Sequence, residues 1–117
     1  MTSPVDEQTT GQELTAFVYR LLPPRPTFMT TMSADEGSTM AAHAAYWTDL
    51  MHQGRVLAFG PVADPEEPYG LGIVLAAGLS DVEALRDRDP AVLSPHGLRA
   101  EIAPLVRLIT PQGVYPA

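Results

Sequence analysis

RVLAFGPVADPEEPYGLGIVLAA, residues 55–77, is the stretch that decides the fold. Arg55 to Gly60 is a short run of strand formers that Pro61 closes, and Leu71 to Ala77 is a continuous apolar run of strand length. Between them VADPEEPYG holds two prolines, three acids and a glycine, which is turn chemistry. The segment therefore reads as a hairpin with a long loop, and the elements flanking it fix the topology.

Upstream, Ser33 and Glu36 have capping-box spacing, in which a hydroxyl and a carboxylate satisfy orphan amides reciprocally. A helix is expected from there through Gln53, stopping at Gly54, a residue suited to the left-handed C-terminal position. Before it, Glu13 to Leu22 is rich in strand formers, and Pro23, Pro24 and Pro26 forbid continuation as helix or ladder. The following loop carries Phe28, Met29 and Met32 and is expected to fold back over something apolar.

Downstream, Ser80 and Glu83 repeat the capping spacing and open a short helix, VEALRDR, that Asp89-Pro90 closes. LRAEIAPLVRLI then reads as a last strand, bent or edge-placed at Pro104. Strand, helix, strand, strand, helix, strand is the ferredoxin-like α+β order: a four-stranded antiparallel sheet with both helices on one face. The expected organisation is a mobile N-terminal tail over 1–12, one domain over 13–110 and a C-terminal tail over 111–117.

Composition narrows the partners. A 117-residue chain that is 45% apolar fits one domain. A chain of this size leaves any helix-free sheet face without cover, so a homodimer through that face is expected. A net charge of −7 disfavours nucleic acid and anionic membrane surfaces. All seven basic residues are Arg, which excludes lysine Schiff-base chemistry and a P-loop lysine. The absence of Cys removes disulfides and thiolate catalysis, and the N-terminus lacks the order of a signal peptide, so a cytoplasmic location is expected.

On the long helix, turning about 100° per residue, Met40, Ala44, Trp47 and Met51 form the expected buried stripe, with His43 and Leu50 on its flank. His52 points away and His96 sits in a loop; three histidines so dispersed lack ligand spacing, and no metal site or cofactor is expected. His43 is either a half-buried ring satisfied by packing or a chemical group at a cleft. Asp89 has the plain alternative of a turn residue capping local amides, and Gly60-Pro61 that of a strand terminator.

Four motifs in register change the weighting: H-x-x-Y-W-x-x-L-x-x-x-G-R-V-L-x-x-G-P-V at 43–62, YGLGIV at 69–74, DPA at 89–91 and E-I-x-P at 101–104. In these the chain resembles the YCII-related (YciI-like) family, from about Phe17 to Val106. The resemblance implies a ferredoxin-like fold that dimerises face to face into an α+β barrel, and an active site pairing a helix histidine with the aspartate of the Asp-Pro motif. Those positions here are His43 and Asp89. It suggests a lyase or isomerase in which His43, held by Asp89, is general base toward a small, largely apolar carbonyl or phenolic substrate. Tyr46 or Tyr69 would donate to the developing oxyanion, and Phe28, Trp47, Gly60 and Pro61 would line the site. The alternative is a non-catalytic small-molecule-binding or assembly domain. The N-terminal tail and the PPRPTFMTTM insertion depart from compact family members, and the insertion is placed to roof the pocket.

Overall fold

The computed structural model describes residues 13–117; the tail expected over 1–12 lies outside them. The chain runs β1 (Thr15–Leu22), α1 (Phe28–Thr31), α2 (Ala34–His52), β2 (Val56–Val62), β3 (Tyr69–Ala76), α3 (Leu79–Asp87), α4 (Pro90–Leu93), β4 (Arg99–Pro104), β5 (Leu108–Thr110) and β6 (Gly113–Tyr115). The main sheet has the order β2-β3-β1-β4, antiparallel at each pairing. With the helices it makes the ferredoxin-like α+β fold.

Alternation on β1 sends Phe17, Tyr19 and Leu21 to the helix-covered face, where they join Trp47, Leu50, Val74, Val82 and Leu85 in one core. Val18 and Arg20 point the other way. On that second face Ala58, Ile73, Val18 and Ala103 lie opposite one another across all four strands, an apolar row none of which is counted in the core.

The α2 ends are built as expected. The Ser33 hydroxyl accepts from the Glu36 amide at 3.1 Å and the Glu36 carboxylate accepts from the Ser33 amide at 2.8 Å. At the other end Gly54 has φ +78°, with Gly54 N–H donating to the Met51 carbonyl and Arg55 N–H to that of Leu50, a Schellman closure. The buried face is rotated from the expected stripe: Glu36, Trp47 and Leu50 are buried, Met40 and Met51 only partly, and Ala44 is exposed. Contacts at 36, 40, 43, 47 and 50 set the face, which puts His43 on its midline. Alanine at 44 is too short to reach across the gap that opens there.

Three local expectations are corrected. Pro61 does not end β2, which continues to Val62; β2 is an edge strand, where a missing amide costs no ladder bond. Ser80 does not cap α3, which starts at Leu79 behind Gly78, two residues earlier than a Ser80 cap would set it, with no side-chain cap. The final strand stops at Pro104, and Leu108–Thr110 pairs with Gly113–Tyr115 as a separate hairpin where strand end and tail were expected. A bulge in β2 between Val56 and Ala58 lets Val56 and Phe59, an odd spacing, share the core face.

Candidate active site

The Asp-Pro element organises the site. Pro90 opens α4 and Asp89 is its N-cap, with Oδ1 accepting from the Ala91 amide at 2.9 Å. The rest of this fully buried carboxylate points inward. His43 Nδ1 lies 2.8 Å from the same Oδ1, while Oδ2 accepts from the Tyr19 hydroxyl and the Trp47 indole N–H, each at 2.9 Å. Four donors thus converge from β1, α2 and α4 on one side chain.

Burial by itself raises the Asp89 carboxyl. The opposing hydrogen bond and charge of His43, with the Trp47 and Ala91 N–H groups, carry it below its ordinary value. Asp89 is therefore an acceptor only, which makes His43 Nδ1 the donor and leaves Nε2 with the lone pair when the ring is neutral. Burial, and then the neighbouring Asp89 carboxylate, push the Tyr19 hydroxyl upward, so it stays a protonated donor.

His43 Nε2 has no hydrogen-bond partner among the described residues, and no buried polar side-chain atom there is left unpartnered, so this nitrogen is reachable from outside. His43 is among the residues lining a cavity of about 370 Å³. Two glycines of YGLGIV, Gly70 and Gly72, are among its walls. A Cβ on Gly72 would collide with Trp47 Cζ3 and stand 2.7 Å from Cη2, so the indole lies directly on the strand, edge-on to Tyr19 at 4.6 Å and 5.8 Å from Phe59. The hollow lies between this aromatic floor and the 23–32 segment.

That segment forms the roof. Phe28 is buried, and Met29 and Met32 line the cavity while remaining partly in solvent. Arg25 fastens the roof to α2: its guanidinium donates to both Glu36 oxygens, at 2.7 and 2.9 Å, and also reaches the Thr31 carbonyl and hydroxyl. The Arg25 bond, followed by the Ser33 amide, lowers Glu36 to about 2.

Of the residues singled out from sequence, His43 and Asp89, 46 positions apart, are in direct contact. Phe28, Trp47, Gly60, Pro61 and Tyr69 line the same cavity as His43. Tyr46 does not: its hydroxyl donates to the Leu85 carbonyl at 2.8 Å, tying α2 to α3. Burial, then the charge of Asp89, raises that hydroxyl. Two residues escaped the sequence reading. Tyr19 is a phenol at an inward strand position between Phe17 and Leu21, which demands a buried partner; Gly72 alternates with Gly70, the mark of a side chain pressed against the backbone.

Among the described residues no group of three or more His, Cys, Asp or Glu is arranged so that it could hold a metal ion, and no helix is long and apolar enough to cross a membrane. Searches of curated proteins and of solved structures returned no match. A family model described as the YCII-related domain matches residues 16–105, from the start of β1 to just past the end of β4. By that match over most of its length, the chain belongs to the YCII-related domain family.

Proposed function

We propose that this protein is a lyase or isomerase whose general base is His43, acting on a small, largely apolar substrate with a proton made acidic by a carbonyl or phenol. The observation that carries this reading is one imidazole with its Nδ1 on the buried Asp89 carboxylate, its Nε2 without a partner among the described residues, and its ring among those lining an apolar cavity. The Nε2 lone pair takes the substrate proton, and Asp89 stabilises the imidazolium that forms. In an isomerase the proton returns to another carbon; in a lyase a leaving group departs with its electron pair. Tyr69, one of the residues lining the cavity, remains the candidate donor to the developing oxyanion, because the Tyr46 hydroxyl is taken by the Leu85 carbonyl.

Solvent-deuterium exchange into an enolisable ketone of cavity size tests the base. His43→Asn is expected to lower the protein-dependent exchange rate by about a hundred-fold or more, with the protein still folded because the asparagine amide can donate to Asp89 in place of Nδ1. Equal exchange in the variant would favour the second reading, a ligand-binding domain in which the Asp89 cradle serves packing alone.

The apolar row on the open face supports a homodimer, and the cysteine-free chain suits the cytoplasm. Sedimentation equilibrium is expected to give twice the chain mass, and Val18→Asp to return it to the monomer value; a monomeric wild type would remove this part of the proposal.

A further inference from the structure

We infer that the cavity selects uncharged ligands and rejects those carrying a carboxylate or phosphate, a specificity that rests on reading the cavity as the substrate site. Substrates of small-molecule enzymes are commonly anchored by an anionic group on Arg or Lys. Here that anchor is missing in a specific way. Among the described residues lining the cavity there is no Arg, and the sequence has no Lys.

Two guanidinium groups touch the cavity walls from behind without entering. Arg25 lies over the outer side of the Phe28 ring, 5.3 Å from its centroid, and its donors are taken by Glu36 and Thr31. Arg20 stacks on Tyr69 at 4.4 Å from the opposite sheet face and is paired there with Glu101 at 3.4 Å. Arg86 pairs with Asp87 and Arg99 with Glu101. Arg55, Arg88 and Arg107 are exposed, and none of the three lines the cavity.

Repulsion adds to the missing anchor. Arg25 and Arg20 behind the walls are each paired with a glutamate, whereas Asp89 stands directly behind His43 and its charge reaches a ligand through that ring. The chain as a whole carries −7. An anion entering between Met29, Met32, Met40 and Phe59 loses its water and meets thioethers and rings, none of which replaces a hydrogen bond. A neutral, mainly hydrocarbon guest loses nothing comparable, and flexible methionines mould to its outline. The polar side chain left among the walls, His43, suits one acidic O–H or C–H of the guest.

The test uses two shape-matched pairs: 4-ethylphenol against 4-hydroxyphenylacetate, and cyclohexyl methyl ketone against cyclohexanecarboxylate, each titrated calorimetrically into the full chain at pH 7. Each neutral member is expected to bind at least about thirty-fold more tightly than its anion. Met40→Arg, which sets a cation inside the cavity, is expected to improve carboxylate binding by about ten-fold or more. A carboxylate that binds as tightly as its neutral mate to the wild type overturns the inference, and so does the absence of millimolar binding by either. Repeating the titrations on His43→Asn separates this claim from the base: the neutral preference is expected to persist there, because it comes from the walls. A preference for the anion in a protein that still catalyses His43-dependent exchange would overturn selection and leave the base standing.

Discussion

Asp89→Ala is expected to cost at least about 4 kcal/mol of folding stability, a large share of the 5–15 kcal/mol typical of a domain. The carboxylate is fully buried and accepts from Tyr19, Trp47, Ala91 and His43. Deleting it orphans three buried donors, each costing about 1–3 kcal/mol, and leaves a void beside α4. Urea unfolding at pH 7 reads the loss; a change under about 1 kcal/mol would show that the cradle relaxes around the gap. Asp89→Asn keeps the shape and one strong acceptor and should lose about half as much. It also isolates the charge. Because the folded Asp89 binds its proton less readily than the unfolded one, its contribution is present above about pH 4 and is lost as pH falls through the lower folded value. The stability gap between wild type and Asp89→Asn should therefore narrow on acidification. Parallel curves down to pH 3 would show that ionisation of Asp89 adds nothing to the fold.

Gly72→Ala is expected to cost about 2–3 kcal/mol although it adds a single methyl group. That methyl would occupy the place of the Trp47 six-membered ring, and the indole is hemmed by Tyr19 and Phe59 on its other sides. The ring must tilt, and its N–H then leaves Asp89. Emission of the single tryptophan should shift as its surroundings loosen. Combining Gly72→Ala with Trp47→Phe, which removes the colliding edge, should cost less than the sum of the two single changes. Strict additivity would show that the strand moves and the indole does not.

The fold was legible because each element carried its own local signal. Ser33 and Glu36 marked a start, Gly54 a stop, and the proline-rich turn at 62–70 a hairpin. Errors fell where tertiary context overrides such marks. Pro61 is harmless only because β2 is an edge, and Ser80 has cap spacing but falls inside a helix already begun. At 108–115 two very short strands pair with each other, a contact no periodicity announces. The His43–Asp89 pairing came from the family resemblance, since nothing in spacing joins residues 46 apart. Tyr46 misled because adjacency to Trp47 in sequence places it about 100° around the helix, facing α3. The lining by Met29 and Met32 was foreshadowed by apolar residues in a loop, which have to cover something.

Asp89 serves two masters, as the cap of a helical turn and as the partner of an imidazole. A descendant of this protein that abandoned catalysis would still need the aspartate to stay folded, whereas it could exchange the histidine for any side chain that still donates to that carboxylate. In surveys of related genomes, an aspartate at this place is thus a poor witness to enzymatic activity, and the histidine beside it is the informative one.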